Sequence, residues 1–174
     1  MVFDIAQFFL FLNYHLLSLI LNKTGFDQKI LMFLSNYLVN RKTKYLWNNS
    51  SSPLYNVDIG VGQESVLSLI LSALYLSFIF HIFEKHLKNL NISISVFLFV
   101  DDGLFISQSK LLFISNANLF CSYNIILLLL IRFGLVIKYG KTEIFHFSRL
   151  HRAFNLSSLD LISLSGPILL SKPT

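Results

Sequence analysis

The chain has 174 residues, of which 54% are hydrophobic and only 13% are charged, whereas roughly 25% charged residues is ordinary for a soluble domain. Its net charge of +5 permits an anionic partner such as nucleic acid without requiring one. The single cysteine, Cys121, excludes an internal disulfide framework and a cysteine-based zinc site, and the five histidines lack metal-ligand spacing. The length suits one domain with a hydrophobic core, or a piece of a larger one.

The first forty residues predict a strand followed by two helices. Residues 2–5 suit a strand, and apolar residues recur at helical spacing from Asn13 to Asn22, where Lys23-Thr24-Gly25 ends the helix. Asp27 is placed to cap a second helix. The apolar stripe of that helix comprises Ile30, Leu31, Leu34, Tyr37 and Leu38.

Two strands and a long helix are predicted next. Residues 43–47 and 54–59 suit strands, separated by a polar loop at 48–53. The basic group Arg41, Lys42 and Lys44 fits either a solvated turn or a phosphate contact. Gly60-Val61-Gly62-Gln63 then forms a loop that leads into a helix over 65–87.

Residues 66–83 carry no formal charge and reach about the minimum length of a transmembrane helix. Three serines and His81 interrupt the run, and Glu64 and Glu84 flank it without a basic anchor beside either end. A buried core helix explains the stretch as well as a membrane span does, and we expect the core helix. The N-terminus lacks a basic region, so no signal peptide is expected.

Two short strands joined by a tight turn are predicted over 94–106, with Asp101 and Asp102 at the tip and Gly103 after them. A helix over 110–133 ends at Gly134, and a strand follows at 144–147. The tail, 151–174, carries at most short strands and has no assigned role. This order of elements predicts an α+β fold with a mixed or antiparallel sheet and helices packed on one face.

The paired carboxylates of Asp101 and Asp102 have two explanations. Asp-Asp-Gly is favourable turn chemistry by itself. Two adjacent like charges beside buried strands are also costly unless a cation neutralises them, and a divalent metal is the usual cation. Asp4, at the end of an early strand, is either a cap or a third hard-oxygen ligand for the pair of metal ions that phosphoryl transfer uses.

Four sequence boxes occur in the order found in one known family. Phe-Asp-Ile-Ala-Gln-Phe-Phe with Leu-Asn-Tyr-His after it resembles motif A of reverse transcriptases of the non-LTR (LINE-like) retrotransposon kind. The segment from Gly60 to Ser72 resembles motif B, Phe-Val-Asp-Asp resembles motif C, and Gly-Lys-Thr-Glu at 140–143 resembles motif D. Residues 1–150 therefore resemble a partial reverse transcriptase palm.

The resemblance implies an RNA-directed DNA polymerase, in which two Mg²⁺ ions assist transfer of a nucleotide from a dNTP to a primer 3′-hydroxyl. Asp4 and Asp101 would be the main metal ligands and Asp102 an accessory carboxylate. Lys141 would donate a proton to pyrophosphate, although a solvated turn lysine explains it equally well. The implied partners are an RNA template, a DNA primer and a dNTP, in the nucleus or cytoplasm.

The resemblance also assigns substrate-binding residues. Phe9 would screen the sugar 2′ position, although it could equally belong to the core. Gln63 and Ser65 would touch the template and the incoming nucleotide, and Gly62 would leave room for close approach of nucleic acid.

Several residues depart from the family pattern. Leu10 and Phe11 stand where Pro and Ser are usual, and Ser68-Leu69 stands for a usual Ser-Pro. Glu64 replaces a glycine and adds negative charge where a polyanion should approach, which opposes binding. We therefore expect an impaired copy that lacks the fingers and thumb of the family. The alternatives are a catalytically inactive, degenerate remnant and a small membrane protein spanning 66–83.

Overall fold

The computed structural model describes residues 1–57, 59–62 and 65–147, and the backbone of 162–163, 166–167 and 169–170. As the sequence predicts, the fold is α+β, with 51% helix, 20% strand and helices packed against antiparallel sheets. The chain divides into two compact units. Unit 1 comprises Met1–Ala6 and Ile79–Thr174, and unit 2 comprises Gln7–Phe78. The domain boundary predicted after residue 150 lies outside the described residues and stays a prediction.

The helices follow the predicted pattern closely. They are α1 (Phe8–Phe11), α2 (Tyr14–Lys23), α3 (Gln28–Leu38), α4 (Val66–Asn89) and α5 (Leu112–Arg132). The Asn13 side chain accepts hydrogen bonds from the amides of His15 and Leu16 and so caps α2, while Asp27 caps α3 through the Lys29 amide. Only Leu31, Leu34 and Leu38 of the predicted stripe on α3 are buried, whereas Ile30 is exposed.

Unit 1 is built on a mixed sheet. Its strands are β1 (Val2–Ala6), β6 (Ser95–Phe99), β7 (Asp102–Ile106), β8 (Val136–Ile137), β9 (Glu143–Ile144) and β12 (Leu169–Leu170). The order is β12-β9-β1-β7-β6, with β8 also pairing with β1. All described pairings are antiparallel except β12 with β9. The remaining tail strands, β10 (Ile162–Ser163) and β11 (Gly166–Pro167), are as short as predicted.

The alternation of side chains along β1 separates the core from the candidate site. Phe3 and Ile5 are fully buried, and Phe3 packs edge-on against Phe105 at a centroid distance of 5.0 Å. Phe83 of α4 stacks on the same Phe105 ring at 5.3 Å. Successive strand residues point to opposite faces, so Asp4 lies on the face away from this aromatic core.

The segment after α3 differs from the prediction. Two short ribbons replace the predicted strand over 43–47 and the loop over 48–53: β2 (Arg41–Thr43) pairs with β5 (Tyr55–Val57), and β3 (Leu46–Trp47) pairs with β4 (Ser50–Ser51). Asn48 and Asn49, with φ of 43° and 64°, form the connecting turn. Two consecutive residues with positive φ are the mark of a type I′ hairpin turn, for which Asn is favoured.

Helices α4 and α5 are both long and apolar enough to cross a membrane by length and composition alone. In each, 44% of the most apolar window is buried within the protein, and a core helix of a soluble protein passes the same test. The prediction had considered only 66–83 as a span. Ser68 and Ser72 of α4 are buried, and the Ser72 hydroxyl donates to the Ser68 carbonyl at 2.6 Å.

Candidate active site

The turn between β6 and β7 places Asp101 and Asp102 in different settings. Phe99 pairs with Asp102, so the two turn residues are Val100 and Asp101, and Asp102 is the first residue of β7. The predicted placement of both carboxylates at the tip is therefore correct for Asp101 and one residue out for Asp102. Val100 has a φ of 57°, and Gly103 lies within the strand and not in the turn.

Asp4 lies directly opposite Asp102. The antiparallel register of β1 and β7 pairs Val2 with Leu104, Phe3 with Gly103, and Asp4 with Asp102. Directly opposed residues on antiparallel strands project to the same face, so these two carboxylates share one face of the sheet. The Ile5 amide donates to the Asp101 carbonyl at 2.8 Å, which fixes the turn against β1. The register therefore gives the adjacency of Asp4 and the Asp-Asp turn that the sequence predicts, while the roles of these carboxylates stay a prediction.

Lys141 joins these carboxylates from the other side of β1. It lies in a 3₁₀ turn (Tyr139–Lys141). The backbone amide of Lys138, just before this turn, donates a hydrogen bond to the Asp4 carbonyl and holds the turn against β1. The Lys141 ammonium donates to Asp4 Oδ2 at 2.6 Å, with the Asp4 side chain 14% exposed and the lysine side chain 56% exposed. The hydrogen bond to Asp4 and its charge raise the pKa of Lys141, and the charges of Asp102 and Asp101 add to the effect.

These groups border an open cavity of about 370 Å³ on the face of the sheet. Asp4, Asp102 and Lys141 line it, together with Glu143, which pairs with Val2 at the start of β9. The sequence analysis did not assign Glu143 a role. The signal in the sequence that could have identified Glu143 is its position two residues after Lys141, within the same Gly-Lys-Thr-Glu box.

The three aspartates have the right chemistry for a divalent cation, because carboxylate oxygens are the ligands that magnesium prefers. Their charges converge on one cation in the structure, the Lys141 ammonium. Among the described residues, however, no three His, Cys, Asp or Glu side chains form a group that could hold a metal ion as they stand. Metal binding at this site would need Lys141 to leave Asp4 and the carboxylates to close together.

The other predicted site residues lie in unit 2. Phe9 is half-buried in α1, its ring 5.5 Å from that of Phe8, and its carbonyl accepts from the Val61 amide at 2.7 Å. Ser65 precedes α4, and its hydroxyl is 3.1 Å from the Tyr37 hydroxyl. A methyl group added at Gly62 would meet nothing within 4 Å, so the backbone there is open to close approach. Gln63, and Glu64 beside it, lie outside the described residues.

Gly60 is packed against protein backbone, in contrast to the open position of Gly62. Its φ is 78°, and an added Cβ would lie 2.5 Å from the Leu10 carbonyl oxygen. Its amide donates a hydrogen bond to the Leu12 carbonyl. Protein backbone therefore occupies the space beside Gly60, where nucleic acid would otherwise approach. Arg41 holds the same loop by donating to the carbonyls of Ile59 and Gly60. Its guanidinium is thus engaged by protein carbonyls, where the sequence also allowed a phosphate contact.

No protein-family model matches the chain, and no curated protein matches it. The chemistry of the site therefore follows from its own groups: carboxylates on β1 and β7 and in the turn before β7, and a protonated lysine whose pKa the nearest of these carboxylates raises further. Once Lys141 has left Asp4 and the carboxylates have closed together, such a set could hold a hard cation and orient a phosphate-bearing ligand through it, and the ammonium group could offer a proton.

Proposed function

We propose that the chain carries the carboxylate centre of an RNA-directed DNA polymerase palm, whose reaction is nucleotide transfer from a dNTP to a primer 3′-hydroxyl. The observation that carries the proposal is the β1–β7 register, which opposes Asp4 to Asp102 and ties the Asp101 turn to the same strand. The sequence separates these residues by almost a hundred positions. The resemblance to reverse transcriptases requires these residues to come together, and the register brings Asp4 and Asp102 to one face with the Asp101 turn beside them.

Each residue of the centre has a distinct task in this proposal. Asp4 and Asp101 would hold two magnesium ions, with Asp102 as the accessory carboxylate. The ions, when bound, would supply charge neutralisation at the phosphates and a more acidic primer hydroxyl. Lys141 is a cation at neutral pH, its pKa raised first by the hydrogen bond to Asp4, and it would give its proton to the departing pyrophosphate. In unit 2, Phe9, Gly62, Gln63 and Ser65 would bind the nucleotide and template.

The contact between Lys141 and Asp4 sets the resting state of the centre. The Lys141 ammonium nitrogen lies 2.6 Å from Asp4 Oδ2, an oxygen that a metal ion held by Asp4 would need. A divalent ion must displace it, which lowers the apparent metal affinity. An impaired centre, as the departures in the sequence boxes predict, is consistent with this arrangement.

Primer extension tests the proposal directly. The full chain is incubated with poly(rA), an oligo(dT) primer, dTTP and either Mg²⁺ or Mn²⁺, and compared with Asp101→Asn, which removes one ligand charge at nearly constant volume. We expect weak incorporation by the parent chain and a loss of at least about 100-fold in the variant, since the ligand acts on the transition-state charge. Equal incorporation by the two proteins would contradict the proposal.

A second function is favoured by the closed Lys141–Asp4 pair, in which the ammonium group already neutralises the Asp4 carboxylate. In that case the chain is an inactive remnant of the same fold. Mn²⁺ binding, followed by electron paramagnetic resonance, separates the two. Binding that Asp4→Asn weakens, without incorporation, indicates the inactive remnant. Neither binding nor incorporation would also indicate the remnant and would reject the polymerase proposal.

The two long apolar helices keep a membrane protein as the third possibility. Extraction of expressed membranes with alkaline carbonate distinguishes it. A protein that spans the bilayer stays with the lipid, whereas a palm domain is released or pellets without lipid on flotation.

A further inference from the structure

Helix α5 carries a stripe of exposed apolar side chains, here called the α5 stripe. Its members are Phe113, Ile114, Ala117, Cys121, Leu128 and Ile131. An α-helix turns by about 100° per residue, so all six lie within one arc of about 100° on the helix surface. The stripe extends for about 27 Å along the helix, at about 1.5 Å per residue. Apolar surface that is contiguous over this distance marks a binding face, whereas single exposed apolar residues do not.

The opposite side of α5 is packed into unit 1. The buried residues of the helix, among them Tyr123 and Leu130, fall outside the arc of the α5 stripe, and the helix packs against β8. Asn124, the one uncharged polar residue inside the arc, is half-buried, and its amide oxygen is shielded from solvent. One face of the helix therefore belongs to the protein core and the other is apolar towards solvent. Such a helix suits a position along a bilayer surface, because crossing the bilayer would surround its core face with lipid.

The charge around the α5 stripe is entirely positive. Arg132 is exposed and ends the stripe within the same arc, and Lys110 is exposed just before the helix begins. Residues 103–142 contain four basic residues and no aspartate or glutamate. The apolar stripe is thus bounded by a cation at each end.

This charge pattern distinguishes between the possible occupants of the stripe. Two copies packed stripe to stripe would oppose like charges in either direction: Lys110 to Lys110 in a parallel pair, and Lys110 to Arg132 in an antiparallel pair. The headgroups of an anionic bilayer, by contrast, attract both ends. Nucleic acid would match the two cations but not the apolar surface between them, because its backbone is charged throughout.

We propose that the α5 stripe lies along the surface of an anionic bilayer, with its apolar side chains at the boundary of headgroups and acyl chains and Lys110 and Arg132 against the lipid phosphates. In this arrangement α5 stays packed on unit 1 and does not cross the bilayer, which distinguishes it from a membrane-spanning protein. Lipid binding of this kind needs neither a metal ion nor a nucleotide, so this inference and the proposed polymerase function can fail independently.

Vesicle flotation tests the inference on the full chain. The protein is mixed with vesicles of phosphatidylcholine, with or without phosphatidylserine, and floated through a sucrose gradient. We expect binding to the vesicles that contain phosphatidylserine, weaker binding to phosphatidylcholine alone, and a decrease with added salt, because salt screens the attraction between the cations and the headgroups. Alkaline carbonate should release the bound protein, because no helix crosses the bilayer.

Cys121 allows the orientation of the helix to be measured. It is the only cysteine of the chain and is exposed within the α5 stripe. An environment-sensitive fluorophore attached there should shift its emission to shorter wavelength on phosphatidylserine vesicles. The control carries the same fluorophore on Leu19→Cys in a Cys121→Ser background. Leu19 is exposed on α2, outside the stripe, so its emission should not shift.

Leu128→Ala tests the apolar part of the surface. Leu128 is 58% exposed, so the truncation removes roughly half of the transfer free energy of three carbon atoms, which corresponds to about tenfold weaker binding. Leu19→Ala is the matched control, because Leu19 is also a helical leucine that is 58% exposed. It should leave flotation unchanged.

A paired substitution tests the charges. Lys110→Gln combined with Arg132→Gln should weaken binding to phosphatidylserine vesicles by roughly 25-fold, since each cation near an anionic surface contributes about fivefold. Binding to phosphatidylcholine alone should stay the same. Lys42→Gln combined with Lys44→Gln is the control, because it removes the same net charge from exposed positions outside unit 1 and should have little effect.

Four outcomes would overturn the inference. The first is a failure of the parent chain to float with either kind of vesicle. The second is equal weakening by Leu128→Ala and Leu19→Ala, which would indicate general adhesion of apolar surface. The third is an emission shift at Cys121 without lipid that grows with protein concentration, which would identify a second copy as the occupant. The last is protein that resists carbonate, which would indicate a helix that crosses the bilayer.

Discussion

At the scale of single residues, Gly103 shows how the site and the core depend on each other. Gly103 pairs with Phe3 across β1 and β7, and an added Cβ would lie 2.1 Å from the Phe3 Cζ atom. The Phe3 ring is fully buried against Phe105 and cannot swing away. A glycine beside the Asp-Asp pair thus lets an aromatic ring lie over the strand that carries Asp102.

We expect Gly103→Ala to lower the free energy of unfolding by about 1–3 kcal/mol, the usual cost of overpacking a core. Thermal and urea unfolding followed by circular dichroism measure the change. Gly140→Ala is the control, because nothing lies within 4 Å of the added methyl group there. Combining Gly103→Ala with Phe3→Leu should cost less than the sum of the two single changes. Strict additivity would show that the ring and the methyl group do not collide.

Val100 is the strained residue of the turn. It is β-branched and has a φ of 57°, in a region that costs L-residues about 1–2 kcal/mol. Asn tolerates this region, so Val100→Asn should raise the free energy of unfolding by about 1 kcal/mol, whereas Val100→Ala, which keeps a Cβ, should change it less. Chemical denaturation of the three proteins provides the measurement. A variant series in which Asn is the least stable member would contradict a strained turn.

The sequence predicted which charged residues meet but not how the turn is made. The resemblance of the four boxes to reverse transcriptases is what predicted that Asp4, Asp101 and Lys141 lie together, and the structure places Asp4 beside Lys141 and against the Asp101 turn. The predicted tip, by contrast, was displaced by one residue. Asp-Asp-Gly has the composition of a turn, but the register of β7 against Phe3 places Gly103 in the strand. A register is a relation between distant segments, which local composition does not encode.

At the scale of elements, the ribbon of residues 41–57, which consists of β2, β3, β4 and β5 and is here called the arm, shows where periodicity no longer predicts structure. Its strands are only two or three residues long, which is too short for an alternation of apolar and polar residues to be recognised. The Asn-Asn-Ser-Ser-Ser-Pro stretch, in addition, suggests a loop. The long helices were predicted within a few residues, since α2, α3, α4 and α5 each repeat the apolar pattern over several turns. Elements with a repeated signal are predictable, whereas a ribbon fixed by one turn and a few pairings is not.

The Asn48-Asn49 turn should control the arm without controlling the rest of the protein. A β-branched residue is strongly disfavoured at the φ of 64° found at Asn49. We expect Asn49→Val to open the arm by about 1–2 kcal/mol, which speeds amide exchange at Trp47 and Ser50 by roughly tenfold, while the melting temperature is nearly unchanged. Hydrogen exchange read by NMR measures this. Asn49→Gly, which suits a type I′ turn, should slow the same amides.

Loss of exchange protection throughout the chain in Asn49→Val would contradict a locally folded arm. A two-stranded ribbon is marginal alone, so the contact between the Tyr45 and Tyr55 rings and the hydrogen bonds between Tyr45 and Ser52 are expected to supply the remaining stability.

At the scale of the whole molecule, the high apolar content has a partial structural account. Helices α4 and α5 contribute many of the buried side chains, and their apolar character suits a core as well as a membrane. Large apolar residues also remain exposed on α3, on the arm and on strand β6, where Phe97 and Phe99 are 56% and 79% exposed. Composition alone could not assign these residues to core or surface, because that depends on which faces the fold brings together.

Tyr75 makes the stability of the chain dependent on alkaline pH. The Tyr75 side chain is fully buried on α4, and its hydroxyl group forms a hydrogen bond with the Asn13 backbone. Burial raises the pKa of Tyr75 from 10.0 to about 12. Only the neutral phenol is compatible with the buried site. Its contribution to stability is therefore complete below pH 10 and is lost as the pH rises from 10 through 12. The raised pKa of Lys141 acts in the same direction, with the loss beginning above its ordinary value of 10.5.

We expect the free energy of unfolding to fall by about 2 kcal/mol between pH 10 and 12, since one pH unit between the folded and unfolded pKa values corresponds to about 1.4 kcal/mol. Urea unfolding at a series of pH values measures this decline. Tyr75→Phe should be less stable at neutral pH, because it loses a hydrogen bond, yet should decline less steeply above pH 10. Lys141→Gln removes the contribution of the Lys141–Asp4 pair, so comparison with the parent chain shows how much of the alkaline decline in the free energy of unfolding comes from the carboxylate centre. A decline that neither variant alters would place the alkaline sensitivity in other groups and leave the phenol of Tyr75 accessible to water.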